Sequence, residues 1–305
     1  MQQELHLHPH ILLRNHKQPM ETPKKKKVNP AQHQPRPGIG RNMHPQPVVD
    51  NHEPGSNKLK GKIALITGGD SGIGKAVAIL FAKEGADVAV AYLNEHKDAA
   101  DTKQRVELYE RKCLLIPGDI SKEKFCNSLV KKTMKEYGKI DILVNNAAIH
   151  YECKKPEDLE TKKILHTFQV NILAMIFITR AAVAHMNEGS VIINTSSVTA
   201  YRGSPELMDY TATKGAIVGF TRSLASNLME RKIRVNGVAP GPIWTPLIAS
   251  SFKPKKVAAH GSTAPMERVG EPVEVAPAYL FLASDDSSYM SAQFLHPNGG
   301  EIVNG

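Results

Sequence analysis

Short apolar runs alternate regularly with longer stretches of helical periodicity from Lys62 onward. The first run, residues 63–66, is apolar at every position, as expected of a strand that is buried on both faces of a parallel sheet. The stretches between the runs are long enough for crossover helices and carry apolar residues on one side. This alternation predicts an α/β fold with a single Rossmann-like, doubly wound parallel sheet, helices on both faces, and ligands at the carboxyl ends of the strands.

The bounds of the elements follow from the apolar runs and from the Gly and Pro residues that end them. We predict strands at residues 63–66, 87–92, 113–116, 140–144, 190–194, 233–238 and 293–295. We predict helices at residues 75–84, 98–111, 122–137, 162–186, 210–231 and 273–283. Residues 242–267 contain several Pro and Gly residues, so we predict a loop-rich segment there.

The first 57 residues differ in composition from the rest of the chain. They hold nine of the 20 Pro and seven of the 13 His, and they carry a formal charge of +4 out of the net +9. Because apolar periodicity is absent, we expect residues 1–57 to be a basic, largely disordered or extended arm that forms no core, and residues 58–305 to be the folded domain. The run Lys24–Lys27 is expected to be a solvated charge run without contact to nucleic acid, with contact to an anionic surface or a nuclear address as the alternative, and Met20 is an alternative start.

Several classes of protein are excluded by what the chain lacks. Three Cys without a C-x-x-C spacing argue against a disulfide framework and against a metal site. No apolar run in the sequence approaches the roughly 18 residues that a membrane-spanning helix needs, so we expect no such helix. The apolar stretch at residues 11–13 is too short for a signal peptide, so we predict a cytoplasmic protein.

A glycine cluster follows the first predicted strand. Gly68, Gly72 and Gly74 stand between that strand and the first predicted helix, where a backbone without side chains can approach a diphosphate closely. The N-terminus of the helix adds free N–H groups and the positive end of a dipole. The cluster favours a dinucleotide site over the alternative of a simple tight turn.

Two further stretches bear on the identity of the dinucleotide. Asp119 follows the third strand, where its carboxylate either accepts the adenine amino group or caps the next helix near Ser121. The second strand ends without the acidic residue with which NAD-binding proteins commonly hold the ribose 2′-hydroxyl. His96 and Lys97 are available to bind a 2′-phosphate, and for this reason we favour NADP over NAD. The negative charge of Glu95 beside them acts against this preference.

Tyr210 and Lys214 stand one turn apart on one face of a predicted helix. A free phenol has a pKa of about 10, and lowering it by about three units requires roughly 4 kcal/mol. The ammonium group of Lys214, together with an oxidised nicotinamide ring, is a suitable source of that free energy. Ser197, thirteen positions earlier, could polarise a substrate oxygen. A Tyr-x-x-x-Lys spacing alone is a frequent accident.

The complete set of motifs is far more specific. T-G-x-x-x-G-x-G at residues 67–74, N-N-A at 145–147, Asn171, Ser197, Tyr210 with Lys214, and Pro-Gly at 240–241 occur in this order at the ends of the predicted elements. This set resembles the short-chain dehydrogenase/reductase family over residues 58–305. Residues 67–74 and 295–300 are similar to a branch with plant glucose-and-ribitol dehydrogenase homologues and bacterial stress-associated oxidoreductases. The stretch 32–47 is similar to the arm of that branch, which implies that the arm is partly ordered.

The resemblance implies roles for four catalytic residues. Tyr210 would exchange a proton with the substrate oxygen, and Lys214 would hold the nicotinamide ribose and lower the pKa of Tyr210. Ser197 would position the carbonyl or hydroxyl group. Asn171 would support a water-mediated proton relay from Lys214, or it is a buried amide that distorts its helix.

The resemblance also implies a set of cofactor-binding residues and a substrate lid at about residues 242–267. The set is Gly68, Asp70, Ser71, Gly72, Ile73, Gly74, Tyr92, Leu93, Asp119, Ile120, Asn146 (or its neighbour Asn145), Ala147, Tyr210, Lys214, Pro240, Gly241, Ile243 and Thr245. Two departures from the family pattern stand out: Ala148 replaces a Gly, and the second strand lacks its terminal acid.

The function that this resemblance implies is that of an NAD(P)-dependent oxidoreductase. It would transfer a hydride between the nicotinamide and a small alcohol or carbonyl compound, such as a sugar, an aldehyde, a ketone or a 3-oxoacyl thioester. The enoyl-reductase variant of the family has a longer Tyr-to-Lys spacing than this chain. A homotetramer is also implied. The alternative is a non-catalytic dinucleotide-binding redox sensor or interaction module.

Overall fold

The computed structural model of the chain describes residues 26–303. Within them, seven parallel strands form one sheet in the order β3-β2-β1-β4-β5-β6-β7. The strands are β1 Ile63–Thr67, β2 Asp87–Tyr92, β3 Cys113–Pro117, β4 Ile142–Asn145, β5 Val191–Thr195, β6 Arg234–Val238 and β7 Phe294–Leu295. The strand order reverses between β1 and β4, so their carboxyl ends border the crevice where this class of sheet binds its ligands. The predicted fold class is confirmed.

Ten α-helices lie within the described part of the chain. They are α1 Gly72–Lys83, α2 His96–Glu107, α3 Glu123–Tyr137, α4 Thr161–Phe168, α5 Ala174–Val183, α6 Thr199–Arg202, α7 Met208–Asn227, α8 Pro246–Ser251, α9 Pro254–Ala258 and α10 Pro272–Ala283. A π-helical turn, Gln169–Leu173, joins α4 to α5.

The core has one layer on each face of the sheet, because successive strand residues point to opposite sides. All five residues of β1 are buried. Ile66 packs with Phe81 of α1 and Tyr279 of α10 on one face. Leu65 belongs to the layer on the other face, which α3 and α5 cover. The continuous apolar runs of the sequence reflect this burial on both faces.

Besides the unpredicted α6 and shifts of two to four residues at the ends of α2 and α7, the structure departs from the predicted helices in three places. Helix α1 begins at Gly72 and not at residue 75, since the glycine turn leads directly into the helix. The predicted helix 162–186 is interrupted by the π turn. The lid segment contains α8 and α9, each with Pro at its start, a position where the missing N–H costs nothing.

One helical stretch among residues 26–303, Thr161–Val183, is long and apolar enough to cross a membrane by length and composition alone. The sequence analysis expected none. The difference arises because α5 is a core helix: Ile178 and Ala182 are buried in the layer that packs on the sheet. A core helix of this kind passes the same test.

The described part of the arm, residues 26–57, lies against the domain with a single 3-10 turn, Gly40–Asn42, as its only helix or strand. Met43 is completely buried in a cluster with Trp244, and the Trp244 indole Nε1 donates to the Pro45 carbonyl at 2.8 Å. The expectation that the arm forms no core therefore fails at Met43. One apolar side chain fills the cluster while backbone hydrogen bonds hold the flanking residues, and neither feature produces periodicity.

Three predictions about the arm concern residues outside the described part. Residues 11–13 and Met20 lie outside it, as do the first two residues of the run Lys24–Lys27. Lys26 is described, and it pairs with Glu267 at 3.6 Å with both side chains largely exposed. Such a pair contributes little to stability.

Replacing Met43 by Ala is expected to lower the free energy of unfolding by about 2–5 kcal/mol, because a cavity opens in the cluster around Trp244. Chemical denaturation of the full chain measures the change. Met229→Ala, at a side chain that is 56% exposed, is the matched control and should change it by less than about 0.5 kcal/mol. Equal effects of the two substitutions would show that Met43 does not anchor the arm.

Candidate active site

The glycine turn between β1 and α1 leaves room for a ligand at its backbone. Gly72 has φ of +52°, a conformation that favours glycine. A Cβ on Gly74 would lie 2.1 Å from the Gly68 carbonyl oxygen, so no side chain fits there. Ser71 precedes α1 without a side-chain hydrogen bond to the first turn. The N-terminal amides of α1 are therefore open to an anion such as a diphosphate.

The end of β4 braces this turn from the neighbouring strand. The Thr67 hydroxyl accepts hydrogen bonds from the backbone N–H groups of Asn146 and Ala147, at 2.9 and 3.1 Å. The Asn146 amide donates to the carbonyls of Thr67 and Gly68. Asn146 thus shapes the predicted cofactor site through the turn, whereas Asn145 lies below it in a buried network with Asn194.

Carboxylates gather at the end of β2, where we predicted the adenosine ribose. Asp70 is buried, and this burial, with the negative charges of Glu95 and Asp98, raises its pKa to about 7. The Tyr92 hydroxyl and His96 Nδ1 are hydrogen-bonded at 3.0 Å, so this imidazole is partly engaged. The structure therefore adds negative charge near the residues that we expected to favour a 2′-phosphate.

Asp119 and Leu93 border the same end of the sheet. Both carboxylate oxygens of Asp119 accept hydrogen bonds from Ser121, from its backbone N–H and its hydroxyl, each at 2.8 Å. The contact is a local turn and not the helix cap that the sequence left open as the alternative to adenine binding, because Lys122 is the residue that precedes α3. The Leu93 side chain is 47% exposed and so accessible to a ligand.

Tyr210 and Lys214 lie one turn apart in α7, below the end of β5. The Lys214 Nζ donates to the Thr195 carbonyl at 2.8 Å and lies 5.3 Å from the centroid of the Tyr210 ring. Burial raises the pKa of Tyr210 to about 12. A hydrogen bond from Ser197 lowers the pKa, but its effect is smaller than that of burial. Burial also lowers the pKa of Lys214 to about 7.

The sequence expectation of a lowered pKa invoked Lys214 together with an oxidised nicotinamide ring and stays a prediction, whereas in the chain itself burial acts in the opposite direction. The phenol is enclosed by protein, which disfavours its anion. The Lys214 amine is directed at the Thr195 carbonyl and is itself desolvated, so its charge does not offset this burial. At neutral pH the geometry therefore presents a protonated phenol beside the Ser197 hydroxyl.

Asn171 lies in the π turn with its amide fully engaged. Its Nδ2 donates to the Ile149 carbonyl and its Oδ1 accepts from the Ile149 N–H, both at 2.9 Å. Its Nδ2 also contacts the Thr213 hydroxyl, which donates to the Tyr210 carbonyl. Asn171 thus joins the loop after β4 to helix α7, as expected of a buried amide in a distorted helix. Its part in a proton relay stays a prediction.

The segment after β6 closes the crevice opposite the glycine turn. The Pro240 carbonyl accepts from the Val198 N–H at 3.0 Å. A Cβ on Gly241 would meet the backbone of Asn298 at 2.7 Å, and Ile243 forms a parallel bridge with Gly270. The Thr245 methyl group lies 3.1 Å from where a Cβ on Gly72 would be. The predicted diphosphate and nicotinamide ends of the site are therefore adjacent.

Several residues near Tyr210 are absent from the predicted site. The buried His150 ring lies 5.2 Å from the Tyr210 ring and 5.1 Å from the Phe252 ring, measured between centroids. Burial lowers the pKa of His150 to about 3. No motif marks these residues. Only their place, in the loop after β4 and in the lid, could have suggested that they face the substrate.

Comparison with known proteins places this geometry in a family. The family model described as "Enoyl-(Acyl carrier protein) reductase" matches residues 68–301. General stress protein 39 of Bacillus subtilis (strain 168) is 52% identical over 276 residues, which cover 90% of this chain and 96% of that protein. NADPH-dependent aldehyde reductase 1, chloroplastic, of Arabidopsis thaliana is 51% identical over 267 residues, covering 85% and 92%. Glucose and ribitol dehydrogenase of Daucus carota is 48% identical over 284 residues, covering 90% and 97%.

Solved structures agree with this result. A short-chain dehydrogenase from Burkholderia cenocepacia J2315 in complex with NADP has a TM-score of 0.75 and 33% identity, over 80% of this chain and 98% of that one. A 3-ketoacyl-(acyl-carrier-protein) reductase from Brucella melitensis complexed with NADH has a TM-score of 0.72 and 33% identity, over 79% and 98%. The resemblance drawn from the sequence motifs is confirmed: the chain belongs to the short-chain dehydrogenase/reductase family of oxidoreductases.

Proposed function

We propose that this oxidoreductase interconverts a small alcohol and the matching carbonyl compound, with Tyr210 as general acid/base and NADP or NAD as cofactor. The observation that carries the proposal is the grouping of Tyr210, Ser197 and Lys214 at the carboxyl end of β5. The glycine turn lies in the same crevice of the sheet. Dinucleotide and acid/base residue are therefore held on one rigid framework.

The residues present fit a dinucleotide. The space that a Cβ on Gly74 would fill and the uncapped start of α1 suit a diphosphate, and Thr245 borders the opposite end. When bound, the nicotinamide supplies or accepts the hydride. Two similar solved structures contain NADP or NADH, and one relative is described as NADPH-dependent, which supports both forms of the cofactor.

The chain itself handles the proton. With a pKa of about 12, the Tyr210 phenol is protonated at neutral pH and can donate to a carbonyl oxygen during reduction. The Ser197 hydroxyl, hydrogen-bonded to the phenol, is placed to hold the same oxygen. Alcohol oxidation needs the phenolate, so we expect its rate to rise with pH over the range where reduction slows.

The substrate class follows from the relatives and from the spacing of the catalytic pair. One relative is named for aldehydes and another for glucose and ribitol, which supports a small polyol, sugar or aldehyde. The description of the matching family model names an enoyl reductase. The four-residue step from Tyr210 to Lys214 is shorter than the spacing in enoyl reductases, so we favour an alcohol or carbonyl substrate. The homotetramer and the cytoplasmic location stay predictions.

Replacing Tyr210 by Phe should lower kcat for carbonyl reduction by about a hundredfold or more, because the proton donor is lost. Absorbance of the reduced nicotinamide follows turnover, and fluorescence titration should give a Kd for NAD(P)H within about twofold of the native value. Tyr289→Phe, at a fully exposed ring, is the control and should behave as the native protein.

Full activity of the Tyr210→Phe protein would refute the mechanism. A native protein that binds the dinucleotide but turns over none of a panel of sugars, aldehydes, ketones and 3-oxoacyl thioesters would instead support the redox-sensor alternative.

Replacing Gly74 by Ala should raise the Kd for NAD(P)H by about tenfold or more, since the new methyl group overlaps the Gly68 carbonyl and must displace the turn. Gly219→Ala, in α7 with open space around the Cβ position, is the control and should leave that Kd unchanged. Unaltered binding by Gly74→Ala would mean that the diphosphate lies elsewhere.

The preference between NADP and NAD should depend on pH through Asp70. Its pKa of about 7 makes the carboxyl neutral below that pH and negative above it. Since the negative form repels a 2′-phosphate, the ratio of the Kd for NADP to that for NAD should rise from pH 6 to pH 8.

Asp70→Asn removes the titration of the carboxyl, whereas the 2′-phosphate of NADP still ionises in both proteins. The difference between the two proteins therefore gives the contribution of Asp70 to the pH dependence. Paired fluorescence titrations at each pH provide the ratio. The same slope in the native and the Asp70→Asn proteins would show that Asp70 does not contact the adenosine end.

A further inference from the structure

The N-terminal arm runs along the lid helix α8 toward the active site. His33 Nδ1 is hydrogen-bonded to the Phe252 carbonyl at 2.9 Å, and the Gln34 N–H donates to the Ala249 carbonyl at 3.1 Å. A Cβ on Gly38 would lie 2.2 Å from the Pro246 carbonyl oxygen, so backbone meets backbone at the start of α8. The residues between these contacts are therefore fixed beside the lid.

Arg36 lies in the middle of this fixed stretch and reaches the loop after β4. Its guanidinium carbon lies 4.2 Å from the centroid of the Tyr151 ring, and the group is hydrogen-bonded to Tyr151. The positive charge of Arg36 also contributes to the lowered pKa of His150, whose ring contacts that of Tyr210. Arg36 therefore lies near His150, whose ring lies beside that of the proposed acid/base.

The charge of Arg36 has no partner of opposite sign. Among residues 26–303, no carboxylate lies within 4.0 Å of its guanidinium, whereas Lys256, another cation near His150, pairs with Glu152 and Glu206. The Arg36 side chain is also exposed to solvent, so a ligand can reach it. A guanidinium presents its donors in a planar fork that matches a carboxylate or a phosphate.

Two imidazole nitrogens of the cleft are buried without a hydrogen-bond partner in the described part of the chain. They are Nδ1 of His150 and Nε2 of His260, and the Phe252 ring lies between the two imidazoles. Burial holds the pKa of both groups well below 6.5, so they are neutral. Neutral imidazoles donate or accept one hydrogen bond at each nitrogen, which suits hydroxyl and carbonyl groups.

We propose that Arg36, held by the arm beside the lid, is a specificity-determining residue that binds an anionic group of the substrate, a phosphate or a carboxylate. The unpartnered Nδ1 of His150 would hydrogen-bond to a polar group of the substrate, with the substrate carbonyl at Tyr210. The inference rests on the proposed function and narrows its substrate class to anionic aldehydes, sugars or polyols.

Two matched pairs of aldehydes test the proposal. Glyceraldehyde 3-phosphate is compared with glyceraldehyde, and succinic semialdehyde with butanal, for the native protein and for Arg36→Gln, Arg36→Lys and Lys26→Gln. The first pair reports on a phosphate and the second on a carboxylate. Lys26→Gln removes the same charge from the arm at a largely exposed position.

The native protein should prefer the anionic member of at least one pair in kcat/KM by about tenfold or more. Arg36→Gln should remove about ten- to a hundredfold of kcat/KM from that substrate, chiefly through KM, and leave the neutral partner within about twofold. Arg36→Lys should retain part of the preference, because it keeps the charge without the fork. Lys26→Gln should match the native protein.

Equal use of neutral and anionic substrates by the native protein would overturn the proposal, and so would an equal loss on both members with Arg36→Gln. If none of the four aldehydes is turned over with either cofactor, the wider substrate panel decides on the proposed function, and calorimetry decides on Arg36 separately. Binding of inorganic phosphate or acetate that Arg36→Gln weakens would support the anion site. Binding that is absent, or the same in both proteins, would refute it.

Discussion

The whole site depends on the junction of β1 and β4, the two neighbouring strands between which the strand order of the sheet reverses. The Thr67 hydroxyl accepts both N–H groups of the Asn146–Ala147 step, and the Asn146 amide returns two hydrogen bonds to the carbonyls of the glycine turn. Buried backbone groups need such partners. This exchange keeps the two strand ends together and the turn open, so the start of α1 stays available to a ligand.

A second layer of polar contacts ties the acid/base residue to that junction. The Asn171 amide forms hydrogen bonds with both the N–H and the carbonyl of Ile149, just beyond the end of β4. It also donates to the hydroxyl of Thr213, one turn after Tyr210. The cost is the π turn in an otherwise continuous helix. The distortion and the catalytic geometry therefore have the same cause, since a regular helix would not present this amide to the loop in the same way.

The sequence predicted the sheet closely because its strands are continuous apolar runs, and β2 begins and ends where the pattern places it. The glycine turn, Ser197, Tyr210 and Lys214 carried the family resemblance. Other features arise only in three dimensions. The π turn follows from contacts of Asn171, the shift in the pKa of Tyr210 follows from burial, and the docking of the arm follows from one Met and backbone hydrogen bonds. The short helices of the lid were hidden because Pro marks helix starts as well as loops.

The docking of the arm limits how the lid segment can be exchanged. The Phe252 carbonyl is hydrogen-bonded to the His33 imidazole, and the Trp244 indole donates to the Pro45 carbonyl, so each joins the lid to an arm residue some 200 positions earlier. A changed lid would lose these supports unless the arm changed with it. The two segments therefore form one structural unit, and grafting a lid from a relative into this chain would require transplanting the matching arm as well.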